Sequence, residues 1–370
     1  MILFRAIFIE MLAPFSFTLM VMAGLLMVEK VYRLVNLVVE ERLNLGEVGL
    51  MLVYLLPQVL AMTLPLAVVG GVFVTVIRQS MDSEVMSLRA TGKGLWNYAM
   101  PFLAFGLAVT LLTSLLTLWL QPAAGRKYAD LQVEMVRWRA EEKLVPGVLN
   151  FDFGNKVIRI GGRRSEKELS DIFIANRQAD SDGSVITARS GWIEVDHDSR
   201  QVVFRLRDGE VSTLIGDSAD FRLVHFNTLR YVLDYRPINR LNVLNIRTLT
   251  TTALSDLLSA EDLLPQARIG YNREYQRRFA EPWAALAFAM ASIPMALVDP
   301  RFGKRAGYLR AIFLVAAYFI VWAAFKDLSG GGKAPAETLW LPPLMVFLYG
   351  TLRLWQMNAD IESLWRVLRR

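Results

Sequence analysis

The chain has 370 residues, 54% of them apolar and 21% charged, with a mean hydropathy of +0.34 and a formal net charge of +6. That balance is too apolar for one soluble domain and too charged to lie wholly in lipid, so a membrane protein with a substantial aqueous part is expected. Cysteine is absent, which excludes a disulfide framework, a thiolate metal site and a cysteine nucleophile.

Charge-free stretches run over 11–28, 48–77, 94–125, 282–298, 311–325 and 338–352. A span needs roughly 17–25 mostly apolar residues, and interfacial side chains extend the shorter stretches by snorkelling. The expected fold is therefore an α-helical membrane protein with six transmembrane helices, in two groups of three, and an inserted all-β domain between the third and fourth. The first stretch is read as an uncleaved span rather than a signal peptide. Glu10 interrupts its approach, and EKVYRL follows Val28 with no small-residue cleavage pattern. An amino terminus inside places Arg5, Arg78, Arg89, Lys93, Arg301, Lys304, Arg305, Arg310 and the basic carboxy-terminal tail on the cytoplasmic side. The opposite side keeps only Lys30, Arg33, Arg42, Lys326 and Lys333, so both termini are expected to be cytoplasmic.

Between the second and third spans lies the charged stretch RQSMDSEVMSLRATGKG, residues 78–94. Met81, Val85 and Leu88 fall at i, i+4 and i+7, which predicts a short amphipathic helix over about 80–92 at the cytoplasmic surface. Ser80 or Asp82 is available as its N-cap and Gly92 as its left-handed stop. Glu84 and Arg89 sit too far round such a helix to pair, so Glu84 lacks an evident local partner and suits a contact in trans. A solvated turn, with Met81 and Val85 resting on lipid headgroups, fits the same spacing. In the second span, Pro57 and Pro65 fit either a kink or ordinary membrane tolerance, and Gly70-Gly71 fits close helix packing. Apart from Tyr54 and Tyr98, residues 48–77 and 94–125 hold no ionisable group, which argues against a proton- or ion-coupled carrier.

The third span leads into a region rich in period-two segments: 148–160, 171–178, 184–196, 201–214 and 221–233. Gly161-Gly162, Asp182-Gly183, Asp196–Ser199 and Asp208-Gly209 read as turns, which predicts an antiparallel sandwich or jellyroll-like domain. Helical connectors are expected at 126–143 and 253–278. Residues 1–125 then hold the first three spans, 126–278 the β domain with its connectors, and 279–370 the last three spans and the tail. Neither His197 nor His225 belongs to a ligand spacing or nucleophile motif, so no metal site is expected. No ATP site is expected either: the Walker spacing has Ser87, Val298 and Asp327 where its first glycine belongs. The basic residues are spread over tails and short loops, which does not indicate nucleic acid.

Several segments together resemble one family: MILFRAIFIEML at the start, EKVYRL at 29–34, LPQVLAMTLPLAVVGGV at 56–72, SEVMSLRATG at 83–92, LVDPRFGKR at 297–305 and LSGGGKAPAETLWL at 328–341. In order and spacing they are similar to the LptF/LptG permeases, the membrane subunits of the transporter that extracts lipopolysaccharide from the bacterial inner membrane. The Asp-Pro-Arg motif and the Gly-rich loop look more like the F subunit than the G subunit.

The resemblance implies a coupling helix at 80–92 seated in a groove of a cytoplasmic ATPase, with Glu84, Val85, Leu88, Arg89 and Gly92 as its contact residues. It implies a second cytoplasmic contact through Arg301 and Arg305, for which plain topology-setting charge is the alternative. It implies lipopolysaccharide headgroup binding by Lys30 and Arg33, which share a helix face at i, i+3. An intrahelical Glu29–Arg33 pair is the alternative there. The implied partners are a paralogous LptG-like permease, an LptB-like ATPase dimer that uses the ATP, a single-span LptC-like jellyroll subunit and an LptA-like periplasmic bridge. No cofactor is implied in this chain. The β domain would be periplasmic. A permease of lipoprotein release or mechanotransmission, and a membrane-anchored envelope lipid enzyme, are the other classes compatible with the spans.

Overall fold

The computed structural model describes residues 2–41, 45–92, 94–143, 146–153, 156–163, 168–176, 184–196, 201–215, 220–232, 246–260, 263–297 and 303–368. Chain contacts divide the protein into a helical unit, residues 1–125 with 246–370, and a β unit, residues 126–245. Residues 253–278, expected as the exit connector of the β domain, group with the helices.

A chain in lipid must satisfy its backbone polar groups internally, so the apolar runs become long helices. These are α1 (Ile2–Glu41), α2 (Leu45–Met81), the short α3 (Glu84–Ala90) and α4 (Leu95–Leu115). A π-helical turn (Leu116–Leu120) joins α4 to α5 (Gln121–Lys143). Beyond the β unit come a 3-10 turn (Ile246–Thr248), α6 (Thr251–Ser259), α7 (Pro265–Ala280), α8 (Trp283–Ala296) and α9 (Gly303–Gly330). A second 3-10 turn (Ala336–Trp340) leads into α10 (Leu341–Leu368). Among the described residues, four stretches are long and apolar enough to cross a bilayer: Phe4–Tyr32, Gly46–Met81, Leu95–Gln132 and Gly307–Gly330. The pair α7 and α8, bent by 46° at the Glu281-Pro282 break, makes a fifth if taken as one span. α10 has 28 residues, but its charge-free part ends at Leu352.

The helical core forms around α2 and α8. On α2, Ala67, Val68, Val72, Phe73 and Val76 are buried. Gly71 abuts α1, where a Cβ would sit 3.1 Å from Phe15 Cβ, so the Gly70-Gly71 pair serves packing. Pro57 and Pro65 lie inside the continuous α2. α8 is mostly alanine on its buried faces, and glycines of its neighbours close on it. A Cβ at Gly106 of α4 would meet Ala289 Cβ at 2.5 Å, and one at Gly350 of α10 would meet the Ala291 backbone at 2.7 Å. Small residues at both sides of a contact let helix backbones approach closely, which is how membrane helices gain dispersion contact. The outward faces stay apolar, with Phe17, Met20, Leu25, Val28, Ile312, Phe313 and Ile320 exposed, as suits a surface that meets lipid.

In the β unit, β1 (Leu149–Phe153), β2 (Lys156–Arg163), β3 (Leu169–Asn176), β4 (Ser184–Asp196), β5 (Gln201–Ile215) and β6 (Asp220–Val232) form one antiparallel sheet. Every described strand pairs with its neighbours in sequence, an up-and-down connectivity. One face carries the core: Ile158, Ile160, Ile172, Ile174, Ile186, Ala188, Phe204 and Leu206.

A single row interrupts the ladders across the sheet. Regular pairing skips Gly161 with Asp171, Asp171 with Arg189, Arg189 with Asp208, and Asp208 with Asn227. Asp171 and Asp208 take positive φ, 50° and 52°. A left-handed residue inverts the alternation of side chains along a strand, and the core positions change parity there. On β3 they pass from Leu169 to Ile172 and Ile174, and on β5 from Phe204 and Leu206 to Val211. Asp208-Gly209 and Gly161-Gly162, expected as turns, therefore lie inside β5 and β2. The Asp196–Ser199 turn and Asp182-Gly183 reach outside the described residues.

Candidate functional site

The charged stretch between the second and third apolar runs forms a helix shorter than its spacing suggests. Met81 is the last residue of α2, and α3 begins only at Glu84. Ser83 caps it in the left-handed region at φ 59°, so neither Ser80 nor Asp82 serves as the expected N-cap. Gly92, at φ 79°, ends the segment as expected, its N–H donating to the Arg89 carbonyl at 2.9 Å. The apolar face survives the break: Val85 is buried in the helical core, and Met81 and Leu88 pack against that core. Glu84 is exposed, as are Met86 and Ser87, so α3 lies on the bundle by one side and offers the other.

Glu84 does have a local charge partner, contrary to the sequence expectation. The left-handed turn at Ser83 folds α3 back so that Glu84 Oε1 lies 3.8 Å from Arg78 Nη2. Both side chains are about half exposed, 52% and 49%, so the pair is screened and weak. Arg89 is half-buried with its Nε sealed from solvent and without a partner, and burial lowers its pKa from the usual guanidinium value. A buried donor without an acceptor is costly, and a partner's carboxylate or carbonyl would relieve that.

The remaining predicted residues are widely separated in sequence. Lys30 is half-buried on α1. Arg33 follows one turn later on the same helix, its side chain outside the described residues. Arg301 and the side chain of Arg305 also lie outside them, although the backbone of Arg305 belongs to α9.

A second cluster was missed by sequence reasoning, although NREYQRRFAEPW (272–283) is charge-dense beside an apolar run. Arg278 of α7 is 1% exposed and donates to Glu274 Oε1 at 3.1 Å and Thr251 Oγ1 at 3.2 Å. Its Nη2 also faces the carbonyls of Arg247 at 3.1 Å and Leu249 at 2.8 Å. Arg277 forks onto Glu274, at 2.9 Å, and onto Glu281. Thr117 of the π turn donates to the Arg278 carbonyl at 3.2 Å, and Thr251 donates to the Leu118 carbonyl at 2.9 Å. The start of the second helical segment is thereby tied to the end of the first.

Beside this cluster opens a cavity of about 270 Å³. Arg247, Arg277 with its partner Glu281, Lys326 and Gln121 line it on the polar side, and Met62, Phe288, Phe319 and Trp322 on the apolar side. Gln121 Oε1 and the Tyr318 hydroxyl are buried there without partners. Burial, and then the Arg277 charge, lower the pKa of Arg247. A charged wall against an aromatic one, with unpaired polar atoms between, suits an amphiphile better than an apolar molecule. Among the described residues no group of histidines and carboxylates could hold a metal.

Long apolar helices interrupted by an antiparallel sheet, with a half-embedded helix on the bundle surface between two spans, are the plan of a polytopic membrane permease. The chain belongs to the family of lipopolysaccharide export system permeases LptF/LptG, whose pattern it matches over residues 5–356. It is similar to the lipopolysaccharide export system permease protein LptF of Escherichia coli strain K12, of Escherichia coli O157:H7 and of Shigella flexneri. Each is 21% identical over 291 residues, covering 77% of this chain and 75% of the relative.

Proposed function

We propose that this chain is a permease subunit of an ATP-driven transporter that extracts lipopolysaccharide from the bacterial inner membrane and delivers it to a periplasmic bridge. The observation that carries the reading is α3: Val85 seats it in the helical core, while Glu84 stays at the surface where a partner can reach it. Such a helix, between two spans, converts movement of a docked ATPase into movement of the bundle. ATP is bound and hydrolysed by the partner ATPase dimer.

In this reading the chain has six spans. The bent α7–α8 pair is the fourth, α9 the fifth and the apolar half of α10 the sixth. Both termini are cytoplasmic and the β unit is periplasmic, its one-sided apolar face serving as a jellyroll-like trough for acyl chains. Lys30 and Arg33 hold lipopolysaccharide phosphates at the outer end of α1, and Arg301 and Arg305 give a second contact to the ATPase. The cavity beside Arg247 and Arg277 supports an amphiphilic substrate, because it joins a charged wall to an aromatic one. The named relatives support an F-type role, and in this reading the partners are a G-type paralogue, the ATPase dimer, the single-span jellyroll subunit and the bridge protein.

The test is to purify the complex through a tag on this chain, reconstitute it in liposomes with and without lipopolysaccharide, and compare wild type with Glu84→Ala. An ATPase that copurifies, with activity lost or uncoupled in the variant, is the expected result. Absence of any ATPase under mild detergent, with the variant like wild type, would sink the assignment.

A further inference from the structure

Three helices meet around one carboxylate near the junction of α2 and α3. Glu10, the acidic residue that interrupts the first apolar run, has both oxygens engaged from α2. Arg78 Nε donates to Oε1 at 2.6 Å, Arg78 Nη2 approaches the same oxygen, and Gln79 Nε2 donates to Oε2 at 3.0 Å. The Gln79 amide oxygen accepts from the Tyr98 hydroxyl of α4 at 2.7 Å. Gln79 and Tyr98 are 2% and 3% exposed, so this chain of bonds runs into the core. The same guanidinium also faces the α3 turn, Nη1 lying 3.6 Å from Asp82 Oδ2 and Nη2 3.8 Å from Glu84 Oε1.

The contacts of Arg78 differ in strength. The one to Glu10 is short and charge-assisted, and Glu10, 27% exposed, also accepts from a buried amide, so this contact outlasts the longer ones although Arg78 itself is half-exposed. Contacts beyond 3.5 Å between half-exposed charges are weak and readily exchanged. A cation presented by a docked partner can therefore take Glu84 from Arg78 while the shorter Arg78–Glu10 contact persists. The backbone keeps the turn attached throughout, Asp82 N donating to the Arg78 carbonyl at 2.9 Å.

We infer that Arg78 is a positioning residue that carries displacement of α3 to α1 through Glu10, with Gln79 and Tyr98 bracing the link against α4. The inference rests on the reading that α3 docks on an ATPase. It deepens that reading by naming α1, the helix that carries Lys30 and Arg33, as the element moved.

This chain has no cysteine, so a complex reconstituted with cysteine-free variants of the partner subunits carries a single pair of spin labels that reports the link. Phe4→Cys on α1 and Met86→Cys on α3 place labels at exposed positions, 42% and 71%. The distance between them is measured by double electron–electron resonance, without nucleotide and trapped with vanadate. Lipopolysaccharide moved per ATP hydrolysed is measured on the same preparations without labels. In wild type the label distance stays narrow and equal in both states. In Glu10→Gln and Arg78→Gln it broadens or shifts between states, and transport per ATP falls about fivefold, the scale of one partly exposed charge pair. Arg78→Lys, which keeps a cation beside Glu10, Asp82 and Glu84, restores part of both readouts. If both single variants keep the wild-type distance and transport per ATP while Glu84→Ala lowers the latter, Arg78 carries no displacement and the inference is overturned, with the docking reading intact. Lower thermal stability at an unchanged ratio overturns it equally, since that is a purely structural role. If no ATPase copurifies with the wild-type chain, the docking reading fails and takes the inference with it.

Discussion

Arg278→Met tests the energetic account of the helical unit most sharply. The guanidinium is 1% exposed and is held by Glu274, by Thr251 and by the carbonyls of Arg247 and Leu249. Breaking a buried ion pair from one side costs about 3–5 kcal/mol, and each buried acceptor left unpaired costs about 1–3 kcal/mol, not additively. Glu274 keeps Arg277 at 2.9 Å, which moves the expected loss to the lower end. A loss of about 3 kcal/mol at roughly 2–4 °C per kcal/mol gives an apparent melting temperature lowered by roughly 6–12 °C. The assay is thermal unfolding of the complex in mild detergent, with amide exchange read over 246–259. Exchange should rise there before the rest of the bundle responds, because the lost bonds pin that segment. Arg278→Lys should recover only part of the loss, since an ammonium cannot reproduce the planar fork. A shift of under about 2 °C with unchanged exchange at 246–259 would refute the reasoning, because it lies below the cost of even one unpaired buried group.

Other outcomes follow from the packing. Gly350→Ala drives a Cβ to 2.7 Å from the Ala291 backbone, which cannot rotate away. The variant should lose about 2–3 kcal/mol, seen as a lower melting temperature. Asp208→Val places a β-branched residue at φ 52° in the interrupted row of the sheet, and should raise protease sensitivity of the β unit far more than Asp208→Gly. Val85→Asp buries a carboxylate at a core position of α3, so copurification of the ATPase and stability should fall together, whereas Met86→Asp, at an exposed position, should leave stability unchanged.

Much of the fold was legible because lipid imposes a strict rule. Charge-free runs at 11–28, 48–77, 94–125 and 311–325 had to become helices, and α1, α2, α4 and α9 lie on them. The strands were legible from alternation: 184–196 coincides with β4, and 221–233 nearly coincides with β6. The interrupted row was not, because Asp208-Gly209 is a strong turn signal wherever the chain reverses. Here the same left-handed preference re-aims side chains within a continuous strand. At the surface of the bundle, the spacing of Met81, Val85 and Leu88 correctly marked the face that packs inward. It did not reveal that Ser83 breaks the helix and swings Glu84 toward Arg78, since that depends on one residue's φ. The Arg278 cluster was hidden for a different reason. Its acceptors lie at 246–251, nearly thirty residues away, and a charge-dense stretch next to an apolar run reads as interfacial anchoring until the partners are in place.

The central claim is that this chain moves an amphiphilic lipid using energy supplied by a docked ATPase. The most direct measurement is release of lipopolysaccharide from proteoliposomes holding the complex purified through this chain, captured by a soluble periplasmic bridge protein and followed with ATP, without ATP and with Glu84→Ala. The account predicts release that requires ATP hydrolysis and collapses in the variant while the ATPase remains bound. Release independent of ATP, or equal in wild type and Glu84→Ala, would contradict it.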